Sequence, residues 1–181
     1  LLHVARGLNE GRSLAGRELT CAPDLCLGAV VAPEADNMDL QILKMRKKVD
    51  AGAQFFQTQA VFSPPIFERF MEQVVDLGVP VLAGIIPVRS ATAARFLNAR
   101  VPGVNVPPWV MQRLNEAAQE DRTRVGAEIA AQIMAAIAPM CQGVHLMPHG
   151  MEALVPEIIA AAGLARPRQS TRSSAASSKS E

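Results

Sequence analysis

Phe55-Phe56-Gln57-Thr58-Gln59-Ala60-Val61-Phe62 decides the fold, set between Lys44-Met45-Arg46-Lys47-Lys48-Val49-Asp50-Ala51-Gly52-Ala53 and Ser63-Pro64-Pro65. In order, this reads as a helix, a glycine stop, a buried strand, and a new helix opened by serine and proline. The amide of Gln59 stands where the strand ends. Parallel α/β folds keep their chemistry at the carboxyl ends of strands.

The same alternation continues in both directions. Cys26 to Val31 is an apolar run of strand length, and Met38 to Ala51 carries Ile42, Met45 and Val49 at helical spacing before Gly52. Pro64 to Leu77 reads as a helix with Ser63 as cap and Gly78 as stop; Pro80 to Ile86 is the next strand, closed by Pro87. Ser90 to Asn98 is a short helix, Pro107-Pro108-Trp109 opens another, and an alanine-rich helix spans about Arg122 to Ala138. Gly143 to Met147 is the fourth strand, and about Leu154 to Ala162 the last helix. Val49-Asp50-Ala51-Gly52 and Val75-Asp76-Leu77-Gly78 recur at the same point of successive units.

Buried, non-alternating strands separated by helices predict a parallel sheet covered by helices. No GxGxxG follows a strand, so a dinucleotide-binding Rossmann unit has no direct support. A closed barrel needs eight strand–helix units and ~250 residues. This sequence offers about half that number of units, preceded by a segment in which Leu1 reads as mid-helix. The expectation is an α/β chain forming the C-terminal half of a (β/α)8 TIM barrel over residues 1–165. Residues 166–181, rich in serine and charge, read as a disordered tail. A small, self-contained open sheet of four strands is the alternative.

Composition narrows the function classes. Hydrophobic residues make up 49% of the chain, enough for a core, and the formal charge of +1 creates no field for nucleic acid or an acidic membrane. Tyrosine is absent, which weakens a base-stacking platform. No apolar run approaches the ~20 residues of a bilayer span, and no secretory signal is legible. Cys21, Cys26 and Cys141 form no CxxC, as expected of a cytoplasmic protein.

The candidates for chemistry are few. Gln59 offers donors and an acceptor that suit a fused heteroaromatic ring, or else ties down a neighbouring loop. Gln41, Lys44 and Lys48 share one helix face with Lys47 beside them; such a stripe binds a diphosphate or is a solvated face. Glu34, Asp36 and Asp39 cluster near a strand end, as a general base or, with Asn37, as helix caps. Cys141, His145 and His149 are spaced by four, but Pro148 interrupts the strand and zinc would lack a fourth protein ligand. His145 reads better as a core histidine than as a metal ligand.

Taken in order, Lys47-Lys48-Val49-Asp50-Ala51-Gly52-Ala53, Thr58-Gln59, Gly84-Ile85-Ile86-Pro87-Val88 and Val106-Pro107-Pro108-Trp109 resemble the methylenetetrahydrofolate reductase family. Val125-Gly126-Ala127-Glu128-Ile129-Ala130 and Gly143-Val144-His145-Leu146 extend the likeness. Leu8-Asn9-Glu10-Gly11-Arg12-Ser13-Leu14-Ala15-Gly16 is most similar to the reductase half of bifunctional homocysteine methyltransferase–reductase proteins.

The resemblance implies an eight-stranded barrel carrying FAD that reduces 5,10-methylenetetrahydrofolate with NAD(P)H, as a homo-oligomer when complete. By position it implies that Gln59 binds the pterin and Leu97 packs near substrate and nicotinamide. It places Lys48 on the flavin, with Lys47, Lys44, Gln41 and Ala32 at neighbouring flavin contacts; Gln41 and Lys44 differ in type from the family's residues. The family's general acid, a glutamate on its first strand, and an aspartate near the flavin have no counterpart from Leu1 onward. Gly150-Met151 stands where many members carry an asparagine–arginine pair. The chain is therefore expected to hold part of the folate and flavin sites and to need a missing N-terminal half barrel or a partner chain. The alternatives are a non-catalytic half-barrel subunit and a fragment of an unrelated barrel lyase.

Overall fold

Four short strands, β1 (Gly28–Val31), β2 (Phe55–Ala60), β3 (Val81–Ile85) and β4 (Gly143–Leu146), lie side by side in that order, all parallel. The computed structural model describes residues 1–164, so the tail expected over residues 166–181 lies outside the described residues. Parallel neighbours need a crossover after each strand. Helices α2 (Met38–Asp50) and α3 (Pro64–Val74) supply the first two. Three helices, α4 (Ala91–Arg100), α5 (Pro108–Glu116) and α6 (Arg122–Ile137), separate β3 from β4. Helix α1 (Leu2–Asn9) precedes the sheet and α7 (Val155–Ala161) follows it.

The two faces of the sheet differ. Ala29, Phe56 and Val81 share one row in the register, and Phe56 and Val81 are buried beneath the helices. Val30, Gln57, Leu82 and Gly143 form the row on the other face. None of these four is buried, and Val30 is 64% exposed. Burial in β2 alternates, which corrects its reading as a non-alternating strand, while helices cover one face of the sheet, as expected.

The covered face packs Phe56, Phe67, Phe70 and Met45 with no solvent exposure, and the Phe67 and Phe70 rings stack with centroids 6.3 Å apart. Along it α2 contacts α3, α3 contacts α6, and α6 contacts α7. Sequential parallel strands with helices on one face form the wall of a (β/α)8 barrel; a doubly wound sheet carries helices on both. Here that wall is four strands wide and open.

Local chemistry fixes the element ends. Asn37, rather than Asp36, caps α2, its side chain accepting from Leu40 N at 2.9 Å. Ser63 precedes α3 as expected but its hydroxyl makes no capping bond. Gly52 and Gly78, the repeated stops, both adopt positive φ. The strand starts share a device that sequence alone did not reveal. Gln54 and Gln142 accept from the backbone N–H of Leu27, just before β1, and Val81, the first residue of β3, at 2.7 and 2.8 Å. Among the described residues no helix is long and apolar enough to cross a membrane.

Candidate functional site

A cleft of about 670 Å³ opens at the carboxyl end of β1. Its walls are the β1–α2 connection (Ala32 and Glu34 to Asn37), Gln41 on α2, and Asn98 to Asn105, the last turn of α4 with the loop after it. A second cleft of similar volume lies at the amino ends of the strands, around Pro80, Val81 and Gln142. Barrel folds place function at the carboxyl ends, so the first is the candidate.

The loop after α4 is held by Asn98. Its amide donates to Val106 O at 2.9 Å and accepts from Val106 N at 2.6 Å, pinning both ends of the segment between them. Within the loop, Gly103 has φ +80 and lies so close to β1 that an added Cβ would sit 2.7 Å from the Ala32 Cβ and 3.9 Å from the Gln59 Cγ. The loop thus brings Ala32, at the end of β1, and Gln59, near the end of β2, against one backbone turn. Gln59 is half-buried. Leu97 is half-buried on α4 and packs on the core; it does not line the cleft, which its neighbour Asn98 does.

The cationic stripe runs down from this mouth. Gln41 lines the cleft, Lys44 and Lys47 are exposed, and Lys48 reaches back to donate to Val30 O at 2.5 Å. Its long stem thereby lifts an ammonium from low on α2 to near the carboxyl end of β1. Burial, and second the charge of Lys44, lower the Lys48 pKa. Among the described residues none of the three lysines is ion-paired. Neighbouring like charges that are not ion-paired favour an anion.

Glu34, expected as a base or a cap on α2, does not cap that helix. Only 8% exposed, it accepts from Phe62 N at 2.8 Å and Ser63 N at 2.6 Å through Oε1. It therefore ties the β1–α2 connection to the start of α3, where the helix dipole favours negative charge. Its Oε2 is shielded from solvent and has no hydrogen-bond partner among the described residues. Burial outweighs the two backbone bonds and pushes its pKa up to about 7.

A raised acid holds its proton longer in the folded than in the unfolded state. Its stabilisation is complete below about pH 4.5 and is lost as the pH rises through about 7. Glu34→Gln, which is uncharged and similar in shape, is expected to flatten this dependence. Relative to the variant, the wild type should lose about 3 kcal/mol between pH 4.5 and 8. Denaturant unfolding of both proteins across that range checks it.

The other spaced candidates do not converge. The Cys141 thiol donates to Gly143 O at 3.1 Å, and burial raises its pKa. His145 is half-buried, and its register with Gly84 places it on the open face, which corrects its reading as a core histidine. His149 is exposed at φ 46. Among the described residues no group of three His, Cys, Asp or Glu could hold a metal.

Comparison with known proteins gives this geometry a context. The chain is 33% identical to the 5,10-methylenetetrahydrofolate reductase of Escherichia coli over 108 residues, 58% of this chain and 36% of that one. It is 27% identical to methylenetetrahydrofolate reductase 2 of Schizosaccharomyces pombe over 162 residues, 77% of this chain and 25% of that one. The matched part therefore spans about a third or less of these relatives' length. In fold, it is similar to a solved structure described as an uncharacterized protein from Clostridium thermocellum that binds two copies of 5-methyl-5,6,7,8-tetrahydrofolic acid. That likeness has a TM-score of 0.54 at 18% identity and covers 88% of this chain and 67% of that one. The family model "Methylenetetrahydrofolate reductase" matches residues 27–163, from the start of β1 to the end of α7. With a match over well more than half its length, the chain belongs to the methylenetetrahydrofolate reductase family.

Proposed function

We propose that this chain supplies the pterin-binding and part of the flavin-binding surface of an FAD-dependent reductase that converts 5,10-methylenetetrahydrofolate to 5-methyltetrahydrofolate with NAD(P)H. Such an enzyme serves one-carbon metabolism and methionine synthesis in the cytoplasm. The observation that carries the reading is the placement of Gln59: near the carboxyl end of β2, half-buried, and against the Gly103 loop that walls the cleft. Its amide can both donate to and accept from a pterin edge. Family membership and the tetrahydrofolate bound by the structural neighbour support the same ligand class.

The residues present fit an anionic flavin nucleotide. Ala32 and Gln41 border the cleft, and the ammonium groups of Lys44, Lys47 and Lys48, in no ion pair among the described residues, suit a diphosphate. When bound, the flavin supplies the hydride relay between nicotinamide and folate. The chain's own residues orient the pterin (Gln59), border the reacting pair (Leu97) and neutralise phosphate charge (the lysines). Opening the folate's methylene bridge requires a proton donor. The Glu34 carboxyl is tied to the start of α3, and our reading assigns that donor to further strands of the barrel or to a partner chain.

A second reading follows from the open face. Val30, Gln57, Leu82 and Gly143 form a row of inward-facing positions that a closed barrel would pack. On this reading the chain is a half-barrel subunit, inactive until a companion covers that row. Purification with and without a companion half barrel tests both. Bound flavin and 5-methyltetrahydrofolate binding by the chain alone support the first reading. Binding only after the companion is added favours the second, and neither in both preparations contradicts them.

A further inference from the structure

Strand β2 is not regular. Between the pairs Gln57↔Leu82 and Ala60↔Gly84 it advances three residues while β3 advances two, so one extra residue is inserted at Thr58-Gln59. A bulge of this kind breaks the ladder and re-aims the side chains around it. It also leaves backbone groups in need of partners. The Thr58 hydroxyl supplies them, accepting from Gly84 N at 2.9 Å and donating to Gln59 O at 2.6 Å.

Thr58 is 5% exposed, so both bonds are sheltered from water. β3 offers glycine opposite the bulge because nothing larger fits. A Cβ at Gly84 would sit 2.5 Å from Thr58 O and 3.0 Å from Gln59 O. Threonine is also stiff at χ1, which fixes the direction of its hydroxyl.

We infer that Thr58 is the positioning residue of the pterin site: its hydroxyl bridges the β2 bulge to β3 and so sets the direction in which Gln59 projects beside the Gly103 loop. This rests on the folate reading of Gln59 given above. Thr58 itself touches no ligand; it acts by holding the peptide that carries Gln59. Valine at this position would keep the shape and remove both bonds, whereas serine would keep the hydroxyl.

The test uses the flavin-loaded protein and its two half-reactions, flavin reduction by NAD(P)H and flavin reoxidation by methylenetetrahydrofolate. Thr58→Val is expected to raise the KM for folate about tenfold, the loss of one well-made hydrogen bond. Flavin reduction should stay within about twofold. Thr58→Ser should restore the KM. In a Gln59→Ala background, Thr58→Val should add no further folate defect, because the two act as one unit.

Equal slowing of both half-reactions by Thr58→Val, failure of serine to rescue, or additive losses in the double variant would each overturn the inference. Should the valine variant not fold, Thr58→Ala carries the same comparison. If Gln59→Ala itself leaves folate turnover intact, the pterin reading fails, and this inference fails with it. A Gln59 effect without a Thr58 effect overturns the inference alone.

Discussion

Gln59→Ala is expected to lower kcat/KM for methylenetetrahydrofolate by about a hundredfold while leaving flavin reduction by NAD(P)H within about twofold. Two hydrogen bonds to a pterin edge contribute about 1–1.5 kcal/mol each, and losing them strands polar groups of the ligand in a desolvated site. A site built to hydrogen-bond a ring discriminates through those unmet partners, more strongly than a pocket that only excludes by size. The half-reactions separate the effects, because only reoxidation of the flavin involves folate. Gln59→Glu is a useful second variant, since it keeps the acceptor and removes the donor. A merely structural Gln59, tying down the Gly103 loop, would slow both halves alike.

Lys48→Met is expected to weaken flavin retention about 10- to 100-fold, the range of a hydrogen bond to a charged group. Methionine keeps much of the stem that packs along α2 and removes the ammonium. The ammonium now meets Val30 O at the open edge of β1. The lowered Lys48 pKa, caused first by burial and second by Lys44, describes a cation held in a costly place. An anion between Lys44 and Lys48 would relieve that cost, and the wild type's flavin affinity should fall with added salt more steeply than the variant's. Equilibrium dialysis of FAD at two ionic strengths checks both points. Unchanged affinity in the variant would leave Lys48 as a clamp on β1 alone.

The fold was legible where the sequence is periodic or punctuated. Gly52 and Gly78 ended helices, and apolar runs marked the strands within one or two residues of their ends. Strand order followed because every connection carries a helix, which forces parallel neighbours. Side-chain partnerships were less visible, since they join segments far apart in sequence. Glu34 read as part of a local acidic cluster, yet its partners are Phe62 and Ser63, and no local spacing announces that tie. The Asn98 clamp on Val106 was hidden likewise, inside what read as a helix end followed by a proline-rich turn.

The candidate site was legible as residues, and its geometry was not. Thr58-Gln59 and the lysine stripe stood out by chemistry and position. The structure brings Gln59 and Ala32 against one loop and sets Gln41 on the wall of the same cleft. It holds the Lys48 ammonium on Val30 O of β1, with Lys44 and Lys47 exposed. What sequence did not disclose was the bulge. A register shift is a relation between two strands, and the only local traces of it were a buried threonine and a glycine on the neighbouring strand.

The most direct test is rapid mixing under nitrogen: flavin in the protein carrying this chain is bleached with NAD(P)H, then challenged with methylenetetrahydrofolate. Return of the oxidised flavin spectrum with one 5-methyltetrahydrofolate formed per flavin is the predicted result. Flavin that stays reduced when folate is added, with the companion strands present, would contradict it.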